Sequence, residues 1–378
     1  MKRILQVNID NNGGNGAYTL VNYYYEELKN DYIFDFFTMN KFIDTADYRC
    51  ILSRGGLCYS ANLRNNRFIG HLMLPFVFKK TFQNNIYEVV HIHSEVAYKV
   101  LLYAFIAKIS GIKKIIVHSH SSCVDGDYIF LKKILHKFCK LLLPFFTNIY
   151  VACSEDAANW MFDKKIIKKG NYTILKNGII PRQFLYDEDK RFYWRKKLKI
   201  NDNDLLIGHV GALKPVKNQS FILDILANLY CEYSNIKLLL VGNGTDMRKL
   251  KDKASSLGIQ ANTIFFGSSD KVNELYNAMD LLLFPSLFEG VPMTLIESQA
   301  SGLPILASSV ITPEVKVTDL ITFENLKSNV DVWINDIKEI MKKNNNRTGY
   351  NSIIESSDFN IRVSAKKLAY IYMDEDNE

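Results

Sequence analysis

Two carboxylates stand beside a segment of the sequence that could bind an anion. The segment is residues 284–304, FPSLFEGVPMTLIESQASGLP, with Glu289 on a predicted loop and Glu297 two turns into a predicted helix. Pro292 stands where that helix would begin, a position at which the missing N–H group costs nothing. The other first-turn N–H groups are unpaired, and with the positive end of the helix dipole they favour a phosphate. Because carboxylates accept hydrogen bonds from hydroxyls, the pattern predicts a ligand that carries both phosphates and hydroxyls.

Four histidines stand in pairs at the ends of two predicted strands, residues 87–92 and 114–117. They are His91, His93, His118 and His120. Ligands of open parallel sheets gather beyond the carboxyl ends of the strands, so these pairs are candidates for function. A metal site is one interpretation, although no acid or cysteine at suitable spacing completes a tetrahedral set. A structural role for His91 and His118 is another, and His120, furthest along its strand, is the stronger functional candidate.

The first half of the chain opens with a strand, a glycine-rich loop and a helix. The strand is predicted at Arg3–Ile9, the loop has Gly13 and Gly14 at its centre, and the helix extends from Tyr18 to about Leu28. Glycine in such a loop lets the backbone approach a phosphate. The order of elements therefore indicates a Rossmann-like unit, although the loop lacks the dinucleotide-binding spacing.

The second half repeats the alternation of strands and helices. We predict strands at residues 205–210, 237–241, 263–266, 281–284 and 304–307, and helices at 221–230, 247–257 and 271–278. Short apolar strands that alternate with helices are typical of a parallel sheet covered on both faces. The highly charged, turn-rich stretch 181–200 is expected to join two domains, and a last helix is predicted at 361–372.

Charge is unevenly distributed along the chain. Residues 1–185 hold 24 lysines and arginines against 14 aspartates and glutamates, a net charge of +10, whereas the remainder holds 23 against 26, a net charge of −3. A basic first half suggests an acidic partner surface, either nucleic acid or anionic lipid. No nucleic-acid recognition motif accompanies the charge, so we expect no nucleic-acid partner.

One predicted helix, residues 128–146, has two distinct faces. Its basic residues recur at steps of one, three and four, which should collect them on one side of the helix: Lys132, Lys133, His136, Lys137 and Lys140. This side is either a solvated face or a surface that lies against anionic lipid headgroups. The chain shows neither a signal-peptide pattern nor an apolar stretch long enough for a membrane span, so we expect a cytoplasmic protein, with peripheral attachment to the inner membrane face.

Taken together, the motifs of both halves resemble the retaining glycosyltransferases of family 4, which have the GT-B fold. The most specific match is the pair Glu289 and Glu297 within residues 285–304, and it is similar to the exopolysaccharide and capsular polysaccharide branch. The supporting matches are IGHVG at 207–211, KN at 217–218, VGNG at 241–244, FFGSSDKVNELYNAMD at 265–280, HSH at 118–120, ACS at 152–154 and NGI at 177–179.

The resemblance implies an α/β protein of two Rossmann-like domains that face a cleft. The expected domains are residues 1–185, which bind the acceptor, and residues 186–357, which bind a nucleotide-sugar donor. Residues 358–378 form a helix that crosses back to the first domain. The donor is expected to be a UDP-sugar, and the acceptor a lipid-linked glycan that is being built into a cell-surface polysaccharide.

The resemblance also implies roles for individual residues. Glu297 would accept hydrogen bonds from the ribose, Glu289 would contact the transferred sugar, and Lys217 would neutralise the diphosphate. His120 matches a histidine that contacts the donor sugar near its anomeric carbon, so the implied catalytic set is His120, Glu289 and Lys217. The implied donor-binding set is Gly13, Gly14, Gly211, Lys214, Lys217, Gly242, Gly244, Gly267, Glu289, Gly290, Val291, Pro292, Met293, Thr294 and Glu297.

Catalysis of this kind requires fixed positive charge beside the departing diphosphate. No metal motif is present, so we expect neither a metal nor another cofactor. Two departures from the family pattern leave an alternative open: Ala212 stands where an arginine is usual, and the acid that commonly follows Gly14 is absent. Either Lys214 replaces the missing charge, or the enzyme is weak, or the chain is a non-catalytic GT-B protein that binds a glycan or a partner transferase.

Overall fold

The computed structural model describes residues 1–11, 16–61, 67–83, 87–121, 128–343 and 346–373 of the chain. It divides into two compact units. Unit 1 comprises residues 1–178 together with 361–378, and unit 2 comprises residues 179–360. Within the described ranges, no helix combines the length and the apolar character that crossing a bilayer requires.

Unit 1 is built on a parallel sheet of seven strands. The strands are β1 (Lys2–Val7), β2 (Tyr32–Thr38), β3 (Cys58–Ser60), β4 (Val89–Ser94), β5 (Lys114–Ser119), β6 (Ile149–Ala152) and β7 (Thr173–Ile174). Their order in the sheet is β3-β2-β1-β4-β5-β6-β7, and every pairing is parallel. The helices that precede unit 2 are α1 (Gly16–Leu28), α2 (Ala46–Ser53), α3 (Arg67–Lys80), α4 (Ala97–Ile109), α5 (Ile129–Leu142), α6 (Glu155–Met161) and α7 (Lys164–Lys169).

Unit 2 is built on a parallel sheet of six strands. They are β8 (Leu205–Val210), β9 (Ile236–Val241), β10 (Thr263–Gly267), β11 (Leu281–Phe284), β12 (Ile305–Ser308) and β13 (Ile321–Glu324), in the order β10-β9-β8-β11-β12-β13. Its helices are α8 (Glu188–Lys197), α9 (Gln219–Glu232), α10 (Met247–Ser256), α11 (Val272–Ala278), α12 (Met293–Ala300), α13 (Val330–Lys342) and α14 (Tyr350–Glu355). The last helix of the chain, α15 (Ile361–Met373), belongs to unit 1 and packs against α1.

The central strands of both sheets are buried on both faces. All four residues of β11 are inaccessible to solvent, as are the side chains of Val90, Ile92 and Val117 in unit 1. Burial of both faces is what a parallel sheet between two helical layers requires, and it explains why these strands are apolar runs. The predicted α/β class, with two Rossmann-like domains and a last helix that joins the first of them, is confirmed.

The charged stretch 181–200 differs from its prediction as a turn-rich junction. It contains α8, which Asp187 caps by accepting hydrogen bonds from the N–H groups of Asp189 and Lys190, at 2.9 and 3.1 Å. Trp194 on this helix is buried in the core of unit 2. The cap, the buried Trp194 and the ion pairs of Arg191 and Arg195 with Asp280 hold a helix whose sequence is highly charged.

The chain passes between the units at 178/179 and at 360/361, whereas the sequence analysis set these boundaries at 185/186 and 357/358. Ile179 donates its N–H to the carbonyl of Phe359 at 2.8 Å, which ties both passages to unit 2. Asn351 adds a hydrogen bond to the Pro181 carbonyl at 2.6 Å.

Helix α5 presents a different face to solvent from the one predicted. His136 is buried, stacks on Trp160, and hydrogen-bonds the Ala97 N–H at 3.0 Å and the Trp160 carbonyl at 2.9 Å. Lys140 is half-buried and donates to the same carbonyl at 2.8 Å. The prediction of one solvated basic face is therefore wrong for these two residues. Large apolar side chains are exposed instead: Ile129, Phe130, Leu131, Ile134, Leu135, Phe138 and Leu141.

Candidate functional site

The segment between β11 and α12 forms a turn in unit 2 that leads into the helix predicted to bind an anion. Pro292 is the N-cap of α12 and accepts the N–H of Leu295 at 3.1 Å. Among the residues that the structure describes, nothing accepts a hydrogen bond from the N–H groups of Gly290, Val291, Met293 and Thr294. Open donors and a helix dipole suit a phosphate, and phosphate binding at this turn stays a prediction.

Lys217 and Glu289 form an ion pair at the mouth of this turn. Lys217 ends a short 3-10 helix after β8, and its Nζ lies 2.5 Å from Oε1 of Glu289. The lysine ammonium also lies 5.3 Å from the centre of the Phe284 ring, at the end of β11. Both side chains are mostly buried, with 20% and 12% of their surface exposed. Lys217, predicted to bind the phosphate, and Glu289, predicted to bind the sugar, are therefore direct neighbours, and their charges neutralise each other.

Glu297 lies on the first turns of α12 and accepts a hydrogen bond from the hydroxyl of Tyr276 at 2.8 Å. Burial raises the pKa of this carboxyl, and the Tyr276 hydrogen bond partly opposes that effect. Tyr276 is fully buried on α11, so it holds the carboxylate in one orientation. The sequence analysis missed Tyr276, although it lies within the quoted FFGSSDKVNELYNAMD segment.

Two glycine loops pass each other at the ends of β8 and β9. Leu213 donates its N–H to Asn243 at 3.0 Å, and a Cβ atom at Gly244 would lie 2.1 Å from the Leu213 carbonyl oxygen. Gly242, with a φ of +140°, is equally close to the Gly211 carbonyl. Close backbone packing therefore accounts for both glycines. Their predicted contact with the donor, like that of Gly267, stays a prediction.

A buried network holds the loop that carries Lys217. His209 of β8 donates from Nδ1 to the Leu283 carbonyl at 3.0 Å, and its Nε2 accepts from the Gln219 amide at 3.1 Å. The same amide donates to the Ala212 carbonyl at 2.9 Å. Burial lowers the pKa of His209 to about 4, which keeps it neutral. Sequence reasoning assigned no role to His209 or Gln219, because their hydrogen-bond partners lie on other elements of unit 2.

The four predicted histidines come together on one face of the unit 1 sheet. His91, His93 and His118 are buried, and His120 is partly exposed beyond the end of β5. Neighbouring rings lie 4.1 to 5.3 Å apart between centres. Burial lowers the pKa of each of them, that of His120 to about 4. All four are therefore neutral at pH 7.

His91, His93 and His118 also meet the distance requirement for metal ligands, with nitrogen atoms within 4.8 Å of one another. Both nitrogens of His93 are nevertheless engaged, by His120 at 2.8 Å and by Gln6 at 2.8 Å. No carboxylate or thiolate joins the group among the described residues. His93 and His120 bond to each other, whereas Nε2 of His91 and both ring nitrogens of His118 have no hydrogen-bond partner among the described residues, so the metal interpretation stays a prediction.

Several predicted residues stand apart from these clusters. Gly13 and Gly14 lie outside the described residues. Ala212 and Lys214 are exposed, on the loop that precedes Lys217. The structure thus pairs Lys217 with Glu289 just before the α12 turn, places Glu297 on α12 in the same unit, and places His120 in unit 1.

Solved structures share this architecture. HepE from Anabaena, crystallised with UDP, superimposes with a TM-score of 0.75 at 15% identity, over 98% of this chain and 99% of that one. Two doubly wound parallel units define the GT-B type of glycosyltransferase fold.

Sequence comparisons show similarity to glycosyltransferases. Residues 190–354 match the family described as glycosyl transferases group 1. The putative glycosyltransferase EpsF of Bacillus subtilis is 29% identical over 89% of this chain and 87% of its own length. CapH of Staphylococcus aureus, a capsular polysaccharide biosynthesis glycosyltransferase, is 25% identical over 79% and 80%. An Escherichia coli UDP-Gal:alpha-D-GlcNAc-diphosphoundecaprenol alpha-1,3-galactosyltransferase is 23% identical over 78% and 77%.

The chain accordingly has the GT-B fold, matches the group 1 glycosyltransferases over residues 190–354, and is similar to glycosyltransferases of polysaccharide biosynthesis. These comparisons do not favour the alternative of a non-catalytic binding protein.

Proposed function

We propose that this protein transfers a sugar from a UDP-sugar, with retention of anomeric configuration, to a lipid-linked glycan during the synthesis of a cell-surface polysaccharide. The observation that carries the proposal is the turn at α12, whose first N–H groups are open, which follows directly on the Glu289 that pairs with Lys217, and whose helix carries Glu297. Phosphates suit the open N–H groups and Lys217, and sugar hydroxyls suit the carboxylates of Glu289 and Glu297. The UDP in HepE and the donor and acceptor in the name of the galactosyltransferase support the choice of ligands.

The reaction needs stabilisation of the leaving group above all. As the bond between the sugar C1 and the phosphate oxygen breaks, negative charge develops on the diphosphate, opposite Lys217 and the α12 turn. The acceptor oxygen bonds to C1 from the same face, and its proton passes to the departing phosphate. No metal enters this scheme, because a lysine and a helix end supply the positive charge.

A panel of UDP-sugars tests the donor assignment. We expect purified protein to release UDP slowly from one of them, and to lose this activity in Glu297→Gln and Lys217→Ala. EDTA should leave the rate unchanged. Calorimetry that detects no binding of UDP or of any UDP-sugar would overturn the proposal.

We further propose that α5 attaches the protein to the membrane that holds the acceptor. Phe130, Phe138 and the neighbouring Phe145 are exposed by 80, 61 and 65% of their surface, a large apolar patch for a helix in water. Lys133 and Lys137 are exposed on the same helix, and Lys165 and Lys169 of α7 line a hollow together with Leu141 and Phe145. Apolar side chains flanked by lysines suit the interface of an anionic bilayer.

Vesicle binding tests this attachment. Replacement of Phe130 and Phe138 by serine should weaken binding to phosphatidylglycerol-containing vesicles roughly 100-fold, because two phenylalanines lose their burial in lipid. Phe192→Ser is the matched control, since Phe192 is equally exposed, at 66%, but lies in unit 2.

Replacement of Lys132, Lys133 and Lys137 by glutamine should weaken binding by about 1 kcal/mol for each charge near the lipid. Lys140, already hydrogen-bonded within the unit, should contribute less. Equal binding by all variants would exclude α5 as the membrane anchor.

A further inference from the structure

A chain of hydrogen bonds runs through unit 1 from the last helix to His120. Tyr372 of α15 receives a hydrogen bond from the Gln6 amide at 3.1 Å, and its hydroxyl also lies 2.7 Å from Nδ1 of His91. Oε1 of Gln6 lies 2.8 Å from Nε2 of His93. Nδ1 of His93 lies 2.8 Å from Nε2 of His120. Four elements, α15, β1, β4 and the end of β5, are joined in one series.

The series determines where each proton lies. Oε1 of Gln6 can only accept, so Nε2 of His93 carries the proton of that ring. A neutral imidazole has one donor and one acceptor, which leaves Nδ1 of His93 to accept from Nε2–H of His120. His120 is neutral as well, so its Nδ1 has a free lone pair. That atom has no hydrogen-bond partner within the part of the chain that the structure describes.

Tyr372 sets the direction of the series. Its ring is fully buried and packs edge-on against Tyr32 and Phe34, which leaves the hydroxyl one position. The hydroxyl accepts from the NH₂ group of Gln6, which leaves its own proton for Nδ1 of His91. The Gln6 amide is thereby held with its oxygen towards His93. If Gln6 were reversed, every later proton in the series would change side, and Nδ1 of His120 would become a donor.

We propose that Tyr372, Gln6 and His93 are positioning residues that hold His120 in the Nε2–H tautomer, so that its Nδ1 accepts a hydrogen bond from a hydroxyl of the donor sugar. The role in sugar binding rests on the proposed function, whereas the tautomer does not. His120 then acts as a neutral acceptor that orients the sugar. It does not act as an acid, because its only proton is donated to His93.

Nitrogen NMR of the histidine rings, recorded without donor at pH 7, tests the tautomer directly. We expect His120, assigned through the signal that disappears in His120→Gln, to show a protonated Nε2 and an unprotonated Nδ1. Tyr372→Phe should shift the ratio of the two tautomers roughly two- to tenfold, the range that one net hydrogen bond supplies. Gln6→Met should do the same if Tyr372→Phe does not fold. A protonated Nδ1 in the unaltered protein, or an unchanged ratio in both variants, would refute the proposal.

Tyr103→Phe is the matched control. Tyr103 is also a buried tyrosine of unit 1, and its hydroxyl has no partner among the described residues. Its removal should leave the tautomer of His120 unchanged. An equal shift in this control would contradict the proposal that the hydrogen bonds from Tyr372 to His120 set the tautomer.

Kinetics separate the two parts of the inference. In Tyr372→Phe, turnover of the UDP-sugar that gives UDP release should fall roughly two- to tenfold. The affinity for UDP, which lacks the sugar, should not change. If the tautomer shifts and turnover does not, His120 does not orient the sugar. If no UDP-sugar is turned over by the unaltered protein, the proposed function fails while the NMR result still decides the tautomer.

Discussion

The ion pair between Lys217 and Glu289 predicts opposite effects of two substitutions on UDP binding. The charged atoms are 2.5 Å apart and most of both side chains is buried, so the stabilisation from this ion pair should exceed the ~0–1 kcal/mol typical of exposed pairs. We take about 1 kcal/mol as a conservative value for it. A charge-assisted hydrogen bond from Lys217 to phosphate contributes about 1.5–3 kcal/mol, but Lys217 must first leave Glu289. The net contribution is therefore about 0.5–2 kcal/mol, so Lys217→Ala should weaken UDP binding roughly 2- to 30-fold. Glu289→Gln removes the competitor and should strengthen it by about fivefold.

Titration calorimetry with UDP measures both effects, and the double variant gives their coupling. Lys253→Ala is the control, because Lys253 forms an ion pair with Asp224 at 2.6 Å elsewhere in unit 2. UDP release from the UDP-sugar should fall in both site variants, since Glu289 is expected to bind the sugar. The reasoning is refuted if Glu289→Gln weakens UDP binding as much as Lys217→Ala does, or if neither changes it by twofold.

Three further predictions follow from the same geometry. Tyr276→Phe should weaken UDP binding by about 0.5–1.5 kcal/mol, because Glu297 loses the bond that orients it, and an unchanged affinity would show that Glu297 needs no such support. Gly244→Ala should lower the melting temperature of the protein, because its Cβ would meet the Leu213 carbonyl, whereas Gly290→Ala, which enters open space, should not. The pKa of buried His209 is lowered from 6.5 to about 4, so the unfolded chain binds more protons than the folded protein between these two pH values. The contribution of His209 to the free energy of unfolding should therefore be fully present above pH 6.5. It should fall by about 3 kcal/mol as the pH approaches 4. Chemical denaturation of His209→Gln should show a smaller loss over that range, and an equal loss would exclude His209 as its source.

Local sequence was sufficient to predict many of the elements, although not α8. The apolar run Leu281–Phe284 predicted β11 with its observed bounds, and the last helix was placed at 361–372 against Ile361–Met373. Such predictions succeed because periodicity and end signals lie within one element. The segment 284–304 likewise contained its own strand end, turn and helix start, so the candidate anion site was visible before any tertiary structure.

The partners of the site side chains were decided by tertiary structure alone. Lys217 is 72 residues from Glu289, and Tyr372 is 281 residues from His91, distances over which no local pattern specifies a contact. Helix α5 illustrates the same limit, because its sequence predicts two unlike faces without indicating which one the protein covers. The buried hydrogen bonds of His136 settle that choice, and they turn the apolar face of the helix outwards. Sequence determines which residues share an element, and packing determines which side chains meet.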